Sequence, residues 1–551
     1  MEFTSVNKIF EASFKKHWDR PAISNYQGVT LHYRDVARRI EKLHIMFEEC
    51  GLQKGDKVAL CSRNQANWAV AFLSTMTYGA VPVPLLHEFK SSNIHHLVNH
   101  SEAKILFVDD VIWEGLTEAE MPDLHAIIQV NTFKLLYSAD ARITEAREHL
   151  NELFGRKYPN VFTPDALNYY EDSAEDLAII NYTSGTSGFS KGVMIPYRAI
   201  LSNLEFARKV LPELDHTKNM VSMLPSAHMY GLMFELLYEL SVGAHVHFLS
   251  RVPSPKVIMQ AMADVKPYLI IAVPLVIEKI YKSKVKPILE KEGIRFLMKV
   301  PGLNQVVMNK IRTELVNAFG GEFYQVIIGG AAFNKEVEAF FKRIGFPVTV
   351  GYGMTECAPI ITYDDWTVEK LYSCGKAAPN LEVRIDSKDP ENVPGEILVK
   401  GANIFLGYFK NEDATRSVFT EDGWFKTGDM GVIDQDGSLF IKGRSKCMIL
   451  GPSGQNIYPE EVETVINSQP YVVDSLVVED DGGLTALIYP DFAQGAKDGM
   501  DQDAFIRYMQ DTLPELNKEL PNYAKLKKIE VMSEDFERTP KKSIKRYLYQ
   551  R

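Results

Sequence analysis

Tyr182-Thr183-Ser184-Gly185-Thr186-Ser187-Gly188-Phe189-Ser190-Lys191-Gly192-Val193 places five Ser/Thr hydroxyls, three glycines and one lysine within twelve residues. It follows the apolar run Leu177-Ala178-Ile179-Ile180, which reads as a buried strand. Glycines let backbone N–H groups approach a polyanion closely and adopt positive φ. The hydroxyls donate hydrogen bonds and Lys191 neutralises charge, so strand and loop together read as a phosphate cradle. A flexible Ser/Gly linker would share the small residues, but it has no reason to end in Lys-Gly-Val and run on into apolar sequence. A Walker loop is excluded, because its lysine is followed by Ser or Thr and here Gly192 and Val193 follow Lys191.

Outward from this loop the chain alternates strand and helix. Asp56–Cys61 and Ile105–Val108 read as strands, Trp68–Tyr78 as an apolar helix, and Gly79–Pro84 as a strand closed by proline. The alternation continues to about residue 350, which predicts α/β layers with largely parallel sheets. After about residue 375 short strands with turn signals follow closely: Leu381–Ile385, Gly395–Lys400, Gly431–Asp434 and Leu439–Ile441. A further break falls at Gly443-Arg444-Ser445-Lys446, and Pro459-Glu460-Glu461-Val462-Glu463 opens a new helix. The expected organisation is a large N-terminal domain, 1–442, of layered α/β sheets with a β-rich subdomain over about 375–442. A hinge at 443–446 and a small mobile α+β domain, 447–551, complete it.

The 551 residues exceed one ordinary core, so several subdomains are expected. Apolar residues at 46% and charged residues at 24% fit a globular enzyme. A net charge of −11 argues against nonspecific nucleic-acid binding. The five cysteines are scattered with no Cys-x-x-Cys spacing, so neither a zinc site nor a disulfide framework is indicated. No signal-peptide core follows Met1, and the apolar run near Tyr268–Ile277 is far shorter than a membrane span. The expectation is a cytoplasmic protein with at most peripheral membrane contact.

Further segments carry chemistry. In Gly351-Tyr352-Gly353-Met354-Thr355-Glu356, after the strand Pro347–Val350, two glycines can lay backbone across an aromatic base. Thr355 can bond a phosphate, and Glu356 offers a hard oxygen to Mg²⁺. Thr427-Gly428-Asp429 reads locally as a turn, though two carboxylate oxygens suit a vicinal diol. Gly443–Lys446 reads locally as a basic surface turn. Gly329-Gly330-Ala331-Ala332 ends the strand Val326–Ile328, a common and weak pattern. His228, in Leu224-Pro225-Ser226-Ala227-His228-Met229-Tyr230-Gly231, could equally be a satisfied structural histidine.

The order Thr-Ser-Gly-Thr-Ser-Gly-x-x-Lys-Gly resembles the phosphate loop of adenylate-forming enzymes: acyl-CoA synthetases, peptide-synthetase adenylation domains and firefly luciferases. The other four segments match the same pattern in order, over about residues 30 to 550. The resemblance implies that Thr183, Ser184, Gly185, Thr186, Ser187, Gly188 and Lys191 hold ATP phosphates. It implies that Thr355 contacts the α-phosphate and that Glu356 binds Mg²⁺. Gly330, Ala331, Gly351, Tyr352 and Gly353 would flank adenine. Asp429 would hold the ribose hydroxyls, Arg444 ribose or phosphate, and Lys446 the hinge position. His228 would lie beside the carboxylate being activated. The helical residues Met233–Leu240 would line an acyl pocket, although core packing explains their apolarity equally well.

Such enzymes join a carboxylate to AMP and then pass the acyl group to a thiol, the C-terminal domain rotating between the two steps. Val273-Pro274-Leu275-Val276-Ile277-Glu278-Lys279-Ile280-Tyr281 and Gly454-Gln455-Asn456-Ile457-Tyr458-Pro459-Glu460-Glu461 resemble segments of long-chain fatty acyl-CoA synthetases. A medium- or long-chain fatty acid is therefore the expected substrate, with ATP, Mg²⁺ and CoA. One departure stands out. Relatives place a lysine where an ungapped match puts Ser543. Lys542 is the first choice to supply the displaced charge, followed by Lys545 and Lys541. Two alternatives remain: an acyl-AMP ligase that loads an acyl carrier protein, and a degenerate binding protein without turnover.

Overall fold

The structure, a computed structural model, describes residues 4–183, 190–211, 213–250, 254–300, 302–450, 456–480, 483–539 and 543–550. A five-stranded sheet runs in the order Val81–Leu85, Lys57–Cys61, Ala103–Val108, Ala126–Gln129, Leu135–Ser138, parallel except for its last strand. Its strands are near-continuous apolar runs because helices cover both faces. The helix Ala66–Tyr78 between two of them is almost wholly buried, with Trp68 stacked on Phe72. It ends at Gly79, whose φ of 90° closes the helix and turns the chain into the next strand.

A second sheet orders Asn219–Ser222, His245–Phe248, Pro21–Asn25 and Thr30–His32. A third, parallel sheet holds Leu269–Ala272, Gln325–Ile328 and Val348–Val350. The expected β-rich unit is a four-stranded antiparallel sheet, Leu381–Asp386, Gly395–Gly401, Phe425–Ile433 and Leu439–Arg444. Two of its strands run longer than the sequence suggested. Thr427-Gly428-Asp429 lies inside a strand, with Gly428 at φ 75° and a bulge at Met430/Gly431 absorbing the irregular residues. Likewise the strand Leu439–Arg444 continues through Gly443 and Arg444, and the break begins only at the 3₁₀ turn Ser445–Cys447. Beyond it, Val472–Asp480, Gly483–Pro490 and Leu526–Val531 form a three-stranded sheet that packs on Pro459–Asn467 around a separate core. All five cysteines are free thiols.

The helical run after His228 contains a π turn at Met233–Leu237 between two α segments. It buries two carboxyl groups, Glu235 and Glu239. Neither oxygen of Glu239 has a hydrogen-bond partner beyond its own backbone among the described residues, and burial pushes its carboxyl up to about 8. Because the folded value lies above the unfolded one, this group's contribution to stability is fully present below about pH 4.5. It is lost as pH rises toward 8, at about 1.4 kcal/mol per pH unit in between. Glu239→Gln, which cannot ionise, should therefore raise Tm more at pH 8 than at pH 5. Parallel Tm–pH curves for the two proteins would contradict this.

Candidate functional site

The strand Leu177–Thr183 pairs antiparallel with Lys191–Pro196, with Thr183 directly opposite Lys191. The two ends of the Ser/Gly-rich loop are thereby held by a ladder. Ser184, Gly185, Thr186, Ser187 and Gly188 lie outside the described residues. Lys191 sets its ammonium 4.6 Å above the ring of Tyr408, and the Tyr408 hydroxyl donates to Glu356 Oε1 at 3.0 Å. Glu356 is buried, and its carbonyl accepts from Phe405 N–H at 2.9 Å. Lys191 and Glu356 thus flank one tyrosine, which sits on a short strand beside Val193.

Gly329 and Gly351 leave neighbouring parallel strands at their carboxyl ends, bonded to the carbonyls of Ala272 and Ile328. Such a crevice outside strand ends is where open α/β sheets bind ligands. Gly330 has φ 86°. A Cβ at Gly353 would lie 2.2 Å from the Pro359 carbonyl, so only glycine fits there. Buried Tyr352 donates to Asp429 Oδ2 at 2.6 Å, and Arg444 Nε lies 3.3 Å from Asp429 Oδ1. Asp429 and Arg444 are direct cross-strand partners, a pairing that follows from the unexpected strand length. Burial raises the Asp429 carboxyl, while Arg444 and the Tyr352 hydroxyl pull it down. The same carboxylate holds the Arg444 guanidinium above its usual value. Tyr352 and Glu356 lie four residues apart, so the segment 351–356 joins the Asp429–Arg444 pair to the Lys191–Tyr408–Glu356 group.

His228 stands immediately before the helix Met229–Leu232, and the turn leading to it is held from three elements. Glu235 Oε2 accepts from Met223 N–H and Leu224 N–H at 3.1 and 3.0 Å. Asn64 Oδ1 accepts from Ser226 N–H at 2.8 Å, and Asn181 Nδ2 donates to the Ala227 carbonyl at 2.8 Å. Asn181 lies two residues before Thr183, so this turn is tied to the strand that leads into the Ser/Gly-rich loop. Tyr230 donates to the Ile327 carbonyl at 3.1 Å and packs against Gly329. Tyr408, Tyr230, Asn181 and Glu235 were not singled out by the sequence reading. Tyr408 is one of 25 tyrosines, and no spacing marks it.

Lys446 is exposed within the turn Ser445–Cys447. Thr355 opens the 3₁₀ turn Thr355–Cys357 that carries Glu356. Lys541 and Lys542 lie outside the described residues. Lys545 pairs with Glu537 at 3.0 Å, so its ammonium is committed within the C-terminal sheet region.

Among the described residues no group of three His, Cys, Asp or Glu side chains is arranged to hold a metal ion. That donor set still fits Mg²⁺ bound with a nucleotide, since Mg²⁺ is commonly held by one or two carboxylates plus phosphates. Glu356 is the carboxylate beside Lys191 and the loop mouth.

The AMP-binding enzyme family matches residues 10–409, and the AMP-binding enzyme C-terminal domain matches residues 448–551. The chain belongs to the AMP-binding enzyme family. A long-chain-fatty-acid–CoA ligase of Salmonella typhimurium is 28% identical over 494 residues, covering 84% of this chain and 81% of that protein. Another, from Mycobacterium bovis, is 27% identical over 482 residues, covering 81% and 74%. ATP-bound MatB from Rhodopseudomonas palustris superposes with a TM-score of 0.76 at 24% identity, covering 99% and 98%. The o-succinylbenzoate CoA synthetase of Bacillus subtilis, with its acyl-adenylate, gives 0.75 at 21%, covering 98% and 97%. These two likenesses speak for the fold. No helix among the described residues is long and apolar enough to cross a membrane.

Proposed function

We propose that the chain converts a long-chain fatty acid, ATP and CoA into acyl-CoA, AMP and pyrophosphate. The observation that carries this is the convergence of Lys191, Tyr408, Glu356, Asp429 and Arg444 around two adjacent strand ends. In the first step a carboxylate oxygen attacks the α-phosphorus, and the bond to the β-phosphate breaks with its electrons leaving on pyrophosphate. In the second, a thiolate sulfur attacks the acyl carbon and the C–O bond to AMP breaks. The protein does little covalent work, so charge neutralisation and in-line positioning dominate.

Lys191 and the hydroxyl loop bind the phosphates, and Thr355 orients the α-phosphate. Glu356 is the residue that would hold Mg²⁺, which supplies positive charge to the departing pyrophosphate. Asp429 accepts from the ribose diol, with Tyr352 and Arg444 fixing the carboxylate. Gly330, Ala331, Gly351 and Gly353 bring backbone to the adenine, and Tyr352 anchors that segment. The turn held by Asn64, Asn181 and Glu235 sets His228 beside the acid. Residues 1–442 serve as the substrate-binding domain and 447–551 as the domain that moves, about a pivot at 443–446 centred on Lys446. Lys542 brings the missing positive charge to the adenylation step. Pyrophosphate release with acids of graded chain length tests the reading: turnover should rise with chain length into the long-chain range. Release with no acid in the series would overturn it.

A further inference from the structure

One face of the molecule reverses the charge of the rest. The chain carries −11 overall, yet residues 274–318 hold nine lysines and arginines against four glutamates. This stretch forms a helical run from Pro274 to Leu289, then the helices Glu292–Lys299 and Leu303–Ala318, which pack on one another. Glu292–Lys299 lays Ile294, Leu297 and Met298 on the core, so Arg295, Phe296 and Lys299 turn outward. In Leu303–Ala318, Val307, Met308, Ile311 and Leu315 are buried, and Leu303, Val306 and Lys310 face outward at helical spacing. Phe296 is 68% exposed, Val306 63% and Leu303 44%. Among the described residues no ion pair joins Arg295, Lys299 or Lys310 to a carboxylate, whereas Lys335 lies over the Tyr372 ring and Lys282 acts on Glu278. The three cations beside these apolar groups are therefore uncommitted.

We propose that this face docks the protein on an anionic phospholipid surface. Phe, Leu and Val side chains standing out among unpaired lysines and arginines are the pattern of interfacial helices. Their apolar groups enter the headgroup boundary while the cations meet lipid phosphates. The negative charge elsewhere is repelled by the same surface, which leaves one orientation favoured. Apolar side chains projecting from two helices favour a bilayer over an acidic carrier protein, which the cations alone would also attract. The position is apt. The run beginning at Pro274 leaves the strand Leu269–Ala272, whose parallel neighbour ends at Gly329 in the proposed site. The benefit of docking rests on the fatty-acid reading, since such acids partition into bilayers, but the docking itself does not require it.

The test is flotation of the full chain, without ATP or acid, with vesicles of phosphatidylcholine alone or mixed with phosphatidylglycerol. Binding should need phosphatidylglycerol and should be released by raising salt. Arg295→Glu, Lys299→Glu and Lys310→Glu combined should lower the partition coefficient by roughly a hundred-fold or more. Tm and turnover of a dispersed acid should be unchanged. Phe296→Ser should weaken binding while keeping its salt dependence. Equal binding to both vesicle types, undiminished binding by the triple variant, or retention of a carrier protein but not of vesicles would overturn the proposal. If the triple variant proves less stable, the salt series on the unaltered chain decides alone. Acyl-CoA synthesis without vesicle binding would refute the docking and leave the ligase reading intact.

Discussion

Glu356→Gln is expected to slow acid-dependent pyrophosphate release by roughly two orders of magnitude or more, the scale of a lost preorganised charge at a reacting phosphate. The substitution keeps the shape and an acceptor oxygen, so the bond from the Tyr408 hydroxyl survives and Tm should change little. What disappears is the negative charge beside Lys191 and the loop mouth, and with it the hard donor for Mg²⁺. Two readouts separate this from a packing defect. Raising Mg²⁺ should partly recover the rate, and the mid-point of Mg²⁺ dependence should move upward. Near-normal release at ordinary Mg²⁺ would remove Glu356 from the proposed role.

Lys446→Pro is expected to separate the two half-reactions. The residue is exposed in a short turn between the strand ending at Arg444 and the C-terminal unit. Proline fixes φ near −65° and removes the N–H, which a 3₁₀ turn tolerates but a rotating pivot does not. Pyrophosphate release should stay near normal, while conversion of supplied acyl-AMP to thioester falls by an order of magnitude or more, on the order expected when a gating motion limits turnover. Equal loss in both steps would place the pivot elsewhere.

Much of this arrangement is legible in the chain itself. The strand Leu177–Thr183, the glycine segment at 351–353 and the layered α/β order depend on local residue types, and local residue types are what a sequence displays. Asp429 and Arg444 read as turn residues yet lie opposite one another in a strand pair, because Gly-Asp and Gly-Arg punctuation outweighs strand propensity until a bulge accommodates it. Tyr408 was missed because its contacts with Lys191 and Glu356 arise from a strand pairing with Val193 across more than two hundred residues. Asn181 and Asn64 escaped for the same reason: carboxamides acquire meaning only from the backbone groups they meet. Glu235 and Glu239 sit in an apolar helix where periodicity predicts nothing but core, and the π turn that places them has no sequence signature of its own.

The central claim is that one site makes an acyl-adenylate and then spends it on a thiol. Rapid-quench analysis with a long-chain acid and ATP, first without and then with CoA, tests this most directly. The account predicts enzyme-bound acyl-AMP in stoichiometric amount without CoA, and on adding CoA its disappearance in step with equal appearance of acyl-CoA and AMP. Acyl-CoA formed with no acyl-AMP intermediate, or acyl-AMP that persists when CoA is added, would contradict it.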